Sequence, residues 1–248
     1  MSFCRTLTEG APWHAGCLII NDCNSKTSDD MNIPAHMSQP LRAVYLARHG
    51  ETAWTVSGQH TGRKDLPLTA NGERNASQLG RRLQGLTFNA VFTSPLQRAR
   101  RTCELAGFGA IAQVDPNLME WDYGPYEGKR LEEILLERPD WSLFRDGCPG
   151  GETPAQVGAR ADLVLERIRD LEGNTPLFSS GHFLRILADR WMKFAPGTIA
   201  PHLLLSTASL SVLGYELKPL QHVIRLWNDD HHVTASTVST RETFAQVV

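Results

Sequence analysis

The chain has 248 residues, of which 41% are hydrophobic and 21% charged, with a formal net charge of −2. That length can bury a full core in one or two domains, and the composition is ordinary for a soluble globular protein. The near-zero charge excludes a global field for nucleic acid or a membrane surface, so any anion recognition must be local. Five cysteines (Cys4, Cys17, Cys23, Cys103, Cys148) match no metal-ligand spacing, and their odd count does not suggest a disulfide framework. Reduced thiols in a cytoplasmic protein are the expectation. No apolar run approaches the length of a membrane span, and Cys17-Leu18-Ile19-Ile20 is too short for a signal peptide.

In chain order, residues 1–40 are rich in Ser, Thr, Asn, Asp and Pro without periodicity, and they read as a disordered extension. Residues 42–47 read as a buried strand. Asn71 is placed to cap a helix over 72–86, with Ala76, Leu79 and Leu83 on its apolar face. Ala90-Val91-Phe92-Thr93 is a second strand. Pro95 sits where a helix over 96–106 begins, and residues 111–114 form a short strand. Helices are predicted over 129–137 and 153–171. Leu177-Phe178-Ser179 is a strand, followed by a helix over 182–194. Residues 208–216 and 222–227 read as a final antiparallel pair, and 231–248 as a loose tail. The alternation predicts one domain over 41–230: a three-layer α/β/α sandwich on a mostly parallel sheet. Ligands of such sheets bind beyond the carboxyl ends of the strands.

Three such ends carry polar residues. The first is Arg48-His49-Gly50-Glu51-Thr52. Arg48 offers a planar fork to phosphate oxygens, His49 a nucleophilic nitrogen near neutral pH, and Gly50 close backbone approach. Alone, this triplet also fits an ordinary polar turn. The second is Thr93-Ser94-Pro95-Leu96-Gln97-Arg98, where a helix start favours anions and Arg98 is placed to reach the same phosphate as Arg48. Arg100 and Arg101 read as solvated surface. The third is Ser180-Gly181-His182. Between the second and third lies Met119-Glu120-Trp121-Asp122-Tyr123, where a carboxyl group among aromatics suits a general acid; Asp122 and Glu127 are rivals for that role.

At this point the chain resembles the histidine phosphatase superfamily, which includes the cofactor-dependent phosphoglycerate mutases. The resemblance runs from about Leu41 to Asn228. It rests on five segments in order and spacing: Arg48 to Thr52, Thr61-Gly62, Asp65 to Thr69, Thr93 to Leu96 with Arg98-Ala99, and Leu118-Met119-Glu120. It implies a phosphohistidine at His49, a clamp of Arg48 and Arg98 on the phosphoryl oxygens, proton transfer by Glu120, and a pocket lined by Thr61 and Gly62. No metal and no cofactor are implied. Two arginines can neutralise the phosphoryl charge without a metal ion.

The pattern fails at one position. The family places a second histidine in a His-Gly dipeptide after its last parallel strand. Aligned on Gly181 and Leu184-Arg185, this chain has Ser180 there, and His182 falls two residues later. Losing that donor costs on the order of 2.7–4 kcal/mol of barrier, by analogy with an oxyanion hole. His182 is either a compensating pocket residue or a structural histidine at a helix start. A second departure is Thr55, where many relatives carry asparagine.

Three functions compete. The first is a metal-independent phosphatase acting on a small phosphorylated metabolite such as a sugar phosphate. The second is a phosphoglycerate mutase-type enzyme, and the third a weakened binder of phosphoryl ligands. The mutases carry a long insertion between the acid and the second histidine. Here about sixty residues separate Glu120 from Ser180, which favours an open site and hydrolysis. The segments Glu120 to Gly128, Trp141, Phe144 to Cys148 and Gly151 to Thr153 are similar to a sugar-bisphosphatase branch. No nucleic-acid or membrane partner is expected, and a homodimer stays open. His231-His232 are adjacent on a predicted tail and cannot easily share one metal.

Overall fold

The first strand shows how this sheet is made. Val44 and Leu46 pack with one hydrophobic cluster, while Tyr45 and Ala47 pack with another. Successive side chains of a strand point to opposite faces, so a run that is apolar at every position must be covered on both sides. The computed structural model describes residues 42–216 and 221–233. It contains strands β1 (Val44–Arg48), β2 (Val91–Thr93), β3 (Ala112–Val114), β4 (Thr175–Ser179), β5 (Leu210–Glu216) and β6 (Gln221–Asp229). Its helices are α1 (Ala53–Ser57), α2 (Ala70–Arg82), α3 (Gln97–Leu105), α4 (Leu131–Glu137), α5 (Leu143–Asp146), α6 (Pro154–Arg169) and α7 (Gly181–Trp191).

The sheet order is β3-β2-β4-β1-β5-β6. Four strands run parallel, and β5 and β6 complete the sheet antiparallel. Leu79, Leu83, Cys103 and Ala106 cover one face with Val91 and Phe178. Val157, Val164, Leu184 and Leu187 cover the other with Phe92 and Leu177. The predicted three-layer α/β/α sandwich is therefore what forms. Leu46 and Leu177 are fully buried, each worth about 1.5–3 kcal/mol relative to exposure.

Every predicted element forms, the short helices α1 and α5 are additional to the sequence reading, and the boundaries move for identifiable reasons. The second helix begins at Ala70, because the Thr69 side chain accepts from the Gly72 amide. The predicted cap, Asn71, lies inside the helix and donates to Glu51 Oε2. It ends at Arg82, four residues short of Leu86. Strand β4 starts earlier than predicted and contains Pro176. That proline pairs with Tyr45 of β1, and the β2 register on the other side begins only at Leu177. The missing amide therefore costs no ladder bond with β2. Lys129 and Arg130 precede α4 rather than open it, with Arg130 at the N-cap.

The predicted extension over 1–40 lies outside the described residues, as do residues 234–248 of the predicted tail. The tail's first residues are bonded: His231 Nδ1 meets Asp229, and His232 Nε2 meets the Ala208 carbonyl.

Candidate active site

β1 and β4 are neighbours at the centre of the sheet, and both end at the same rim. His49 follows β1. Its amide donates to the Ser179 carbonyl at 2.9 Å, and its own carbonyl accepts from Ala208. The backbone is thus fixed by β4 on one side and by the segment just before β5 on the other. Its Nδ1 lies 2.8 Å from the Gly50 carbonyl oxygen. A carbonyl can only accept, so Nδ1 carries the proton and Nε2 keeps its lone pair. His49 is 3% exposed. Burial first, then Arg98 and Arg48, hold its pKa well below the usual imidazole value, with the Gly50 carbonyl opposing. The ring is therefore neutral and nucleophilic at and below neutral pH.

Gly50 is required by a close approach. A Cβ there would come 2.6 Å from the Gly72 carbonyl oxygen in the first turn of α2. The Gly50 amide donates to Thr102 Oγ1, whose hydroxyl donates to the Arg98 carbonyl. The turn after β1 is tied in this way to α3.

Arg48 lies against the start of α7, where a Cβ on Gly181 would stand 3.2 Å from its Nε. Its Nη1 donates to the Leu205 carbonyl. Arg98 is fully buried, and its guanidinium donates to the carbonyls of Thr61, Gly62 and Lys64. It organises the 61–64 loop and supplies positive charge near His49.

Glu120 is 4% exposed. Its Oε1 accepts from the amides of Trp121 and Phe183, and its Oε2 from the amide of His182. The last two amides belong to the first turn of α7, where an N-cap side chain normally accepts. Glu120 thus caps α7 from a distant loop. Ser180, the residue at the N-cap position, makes no cap hydrogen bond. Its Oγ is buried without a partner among the described residues.

These groups surround a cavity of about 180 Å³, on the order of six water volumes. Seven predicted site residues line it: Arg48, His49, Thr55, Thr61, Glu120, Gly181 and His182. Arg98, Gly62 and Ser180 do not. The Gly62 amide is taken by Glu127 Oε1, and the Arg63 amide by Glu127 Oε2, both at 2.8 Å. Glu127 is therefore a loop anchor rather than a rival acid. Asp122, the other rival, caps the Gly124 turn. The Thr55 hydroxyl donates to the Thr52 carbonyl and accepts from its amide, closing the capping box of α1. Arg101 pairs with Glu73 and Glu104 on the surface, as its reading as solvated charge implies.

The sequence reading missed His60 and did not single out Tyr123 or Arg185 as site residues, although all three line the cavity. Arg185 is pushed down to about 10 by burial and by Arg48. It could have been found as the residue four positions after Gly181, one turn along a helix that starts at the site. His60 carried no local signal. Among the described residues, no group of His, Cys, Asp and Glu is arranged to hold a metal ion, and no helix is long and apolar enough to cross a membrane.

A central strand ending in a buried neutral histidine between two arginines, with a carboxylate across the cavity, is the arrangement the five sequence segments imply. The family model of the histidine phosphatase superfamily (branch 1) matches residues 44–230. The chain belongs to that superfamily. An acid phosphatase of Mycobacterium tuberculosis is 39% identical over 177 residues, covering 70% of this chain and 86% of the relative. A sedoheptulose 1,7-bisphosphatase of Saccharomyces cerevisiae is 38% identical over 181 residues, covering 59% of this chain and 66% of the relative. The solved structure of a Mycobacterium tuberculosis open reading frame aligns with a TM-score of 0.71 at 34% identity. It covers 75% of this chain and 97% of that one. Both named relatives are phosphatases, and the expected enzyme class, a phosphatase of this superfamily, holds.

Proposed function

We propose that this histidine phosphatase hydrolyses a small phosphomonoester, such as a sugar phosphate, through a phosphohistidine at His49 and without a metal ion. One observation carries the reading. The Nδ1–H of His49 is committed to the Gly50 carbonyl, which leaves Nε2 as the nucleophilic atom beside Arg48.

In this mechanism Nε2 attacks phosphorus in line, the P–O bond to the alcohol breaks, and the leaving oxygen takes a proton from Glu120. Water then attacks the phosphohistidine, giving its proton back to Glu120 and releasing phosphate. Glu120 is the acidic residue among the described residues lining the cavity. Arg48 and Arg98 offset the charge of the transferring group. The cavity volume suits a phosphoryl group with a short attached chain, and the two named relatives support a phosphorylated metabolite as substrate. The buried thiols Cys103 and Cys148, free among the described residues, support a cytoplasmic setting.

The test is phosphate release from a panel of sugar phosphates and phosphoglycerates, comparing the wild type with His49→Ala. The variant loses at least about 10³-fold in kcat/KM, and the trapped phosphoenzyme is acid-labile and alkali-stable. Equal turnover by the two proteins would refute the reading.

A second reading has its own observation. Ser180, which stands where the family has its second histidine, does not line the cavity, so a slow enzyme that holds phosphoryl ligands is the alternative. Tight phosphate binding with turnover no higher than that of His49→Ala would select it.

A further inference from the structure

The wall of the cavity holds a hydrogen bond that the mechanism above does not use. Tyr123 is 1% exposed, and its hydroxyl meets Nδ1 of His182. Among the described residues this is the only hydrogen bond of that hydroxyl. Two arrangements are conceivable. If Nδ1–H donated to the phenol, the phenolic hydrogen would be buried with no acceptor, at the cost of an unmade bond. If the phenol donates, its buried hydrogen has an acceptor, and the remaining ring proton lies on a half-buried imidazole that lines the cavity. The second arrangement puts the ring proton on Nε2.

The ring is also held in place. The His182 amide donates to Glu120 Oε2 at 3.0 Å. Phe144 packs edge-on against the imidazole with centroids 5.4 Å apart, and His60 stacks on it at 6.1 Å. Nε2 has no protein partner among the described residues, and the ring lines the same cavity as His49 and Arg48.

We infer that Tyr123 is a positioning residue: it locks His182 as a neutral Nε2–H donor directed at the oxygens of a phosphorylated substrate in the cavity. This rests on the phosphatase reading of the pocket. It gives the site a fixed donor from a residue that lines the cavity, which Ser180 does not. The charged or titratable groups facing the ring are Arg48, Arg185, Glu120, His60 and Tyr123. Burial first, then Arg185, His60 and Arg48, hold His182 well below the usual imidazole pKa, in keeping with a donor that stays neutral.

The test uses the full chain labelled with 15N at histidine. In the wild type at neutral pH, His182 shows one neutral tautomer, protonated at Nε2, and that resonance moves on titration with inorganic phosphate. In Tyr123→Phe the ring samples both tautomers, and kcat falls about tenfold while KM changes little. A merely structural tyrosine would lower the melting temperature without altering the tautomer. A wild-type His182 protonated at Nδ1 or at both nitrogens overturns the proposal. So does a Nε2 resonance indifferent to phosphate, or a Tyr123→Phe protein with an unchanged tautomer. The tautomer is read without turnover, so a protein that hydrolyses nothing would refute the phosphatase reading and leave this result to stand by itself.

Discussion

Ser180→His is the most informative single substitution. The Ser180 hydroxyl is fully buried, makes no hydrogen bond among the described residues, and does not cap α7. Ser180 does not line the cavity, so its hydroxyl is not placed to contact the transferring group, and an imidazole reaching the phosphoryl site adds one donor. One donor of the oxyanion type is worth about 2.7–4 kcal/mol, or roughly 10²–10³ in kcat. The structure favours the lower end. The neighbouring His182 is held neutral by burial, Arg185, His60 and Arg48, and an imidazole introduced two residues away enters the same field. It would donate as a neutral group and not as a cation, and charge-assisted bonds are about twice as strong as neutral ones. The expected gain is therefore about 10²-fold in kcat. Steady-state phosphate release, with His49→Ala as the zero and thermal melting as a folding control, measures it. A folded Ser180→His protein within about twofold of the wild type, still silenced by His49→Ala, would refute the reasoning. The pocket would then already contain its full set of donors.

Glu120→Gln should destabilise the fold as well as slow the reaction. Three backbone amides converge on its two oxygens, and a side-chain NH₂ would oppose at least one of them, at about 1–3 kcal/mol; urea unfolding checks this. Gly72→Ala should cost about 1–3 kcal/mol, because its Cβ would stand 2.2 Å from the Glu51 carbonyl oxygen, and unfolding midpoints report it. Acid should destabilise the protein early. His49, His60 and His182 all have lowered pKa values, caused first by burial, so the unfolded chain binds more protons. Stability is complete above the unfolded value of about 6.5 and is lost as pH falls toward the folded values. The slope approaches about 4 kcal/mol per pH unit when three protons are taken up, and melting temperatures unchanged between about pH 7 and 5 would contradict it. EDTA should leave the rate unchanged, and strong inhibition would remove the metal-independent mechanism.

The parts of this molecule that were legible in its sequence are those whose signal is local. β1, β2 and β4 are covered on both faces, so their sequences are apolar runs. Arg48 ends β1 and His49 follows it, while Glu120 follows only the apolar pair Leu118-Met119 after a short turn. The helix caps were half legible. Thr69 and Asn71 are both good cap residues, and only the bond from Gly72 to Thr69 chooses between them. What the sequence hides is the pairing of distant segments. Nothing local says that the Glu127 carboxylate, 65 residues from Gly62, takes that amide. Nor does anything local say that the Arg98 guanidinium gives its Nη1 and Nη2 donors to the carbonyls of the 61–64 loop. His60 enters the pocket for the same reason: its Nδ1 and amide meet the Lys129 carbonyl across 69 residues.

The capping of α7 separates the two changes that most affect this site. A helix that opens at an active site exposes its first amides. Here the amides of His182 and Phe183 are satisfied by Glu120, a residue of another segment. The N-cap position is thereby relieved of its usual task, and among the described residues the Ser180 hydroxyl neither bonds nor caps. A substitution at position 180 can change the chemistry of the pocket while α7 stays anchored, because the anchor is elsewhere. The converse holds for Glu120, whose carboxylate is at once the proposed proton carrier and the clasp between the 119–121 loop and α7. Loss of activity on changing Glu120 therefore confounds chemistry with structure, whereas a gain of activity at position 180 does not. For this chain the decisive experiment on mechanism is the one that adds a side-chain function at position 180, because removing one at Glu120 also loosens the helix that shapes the pocket.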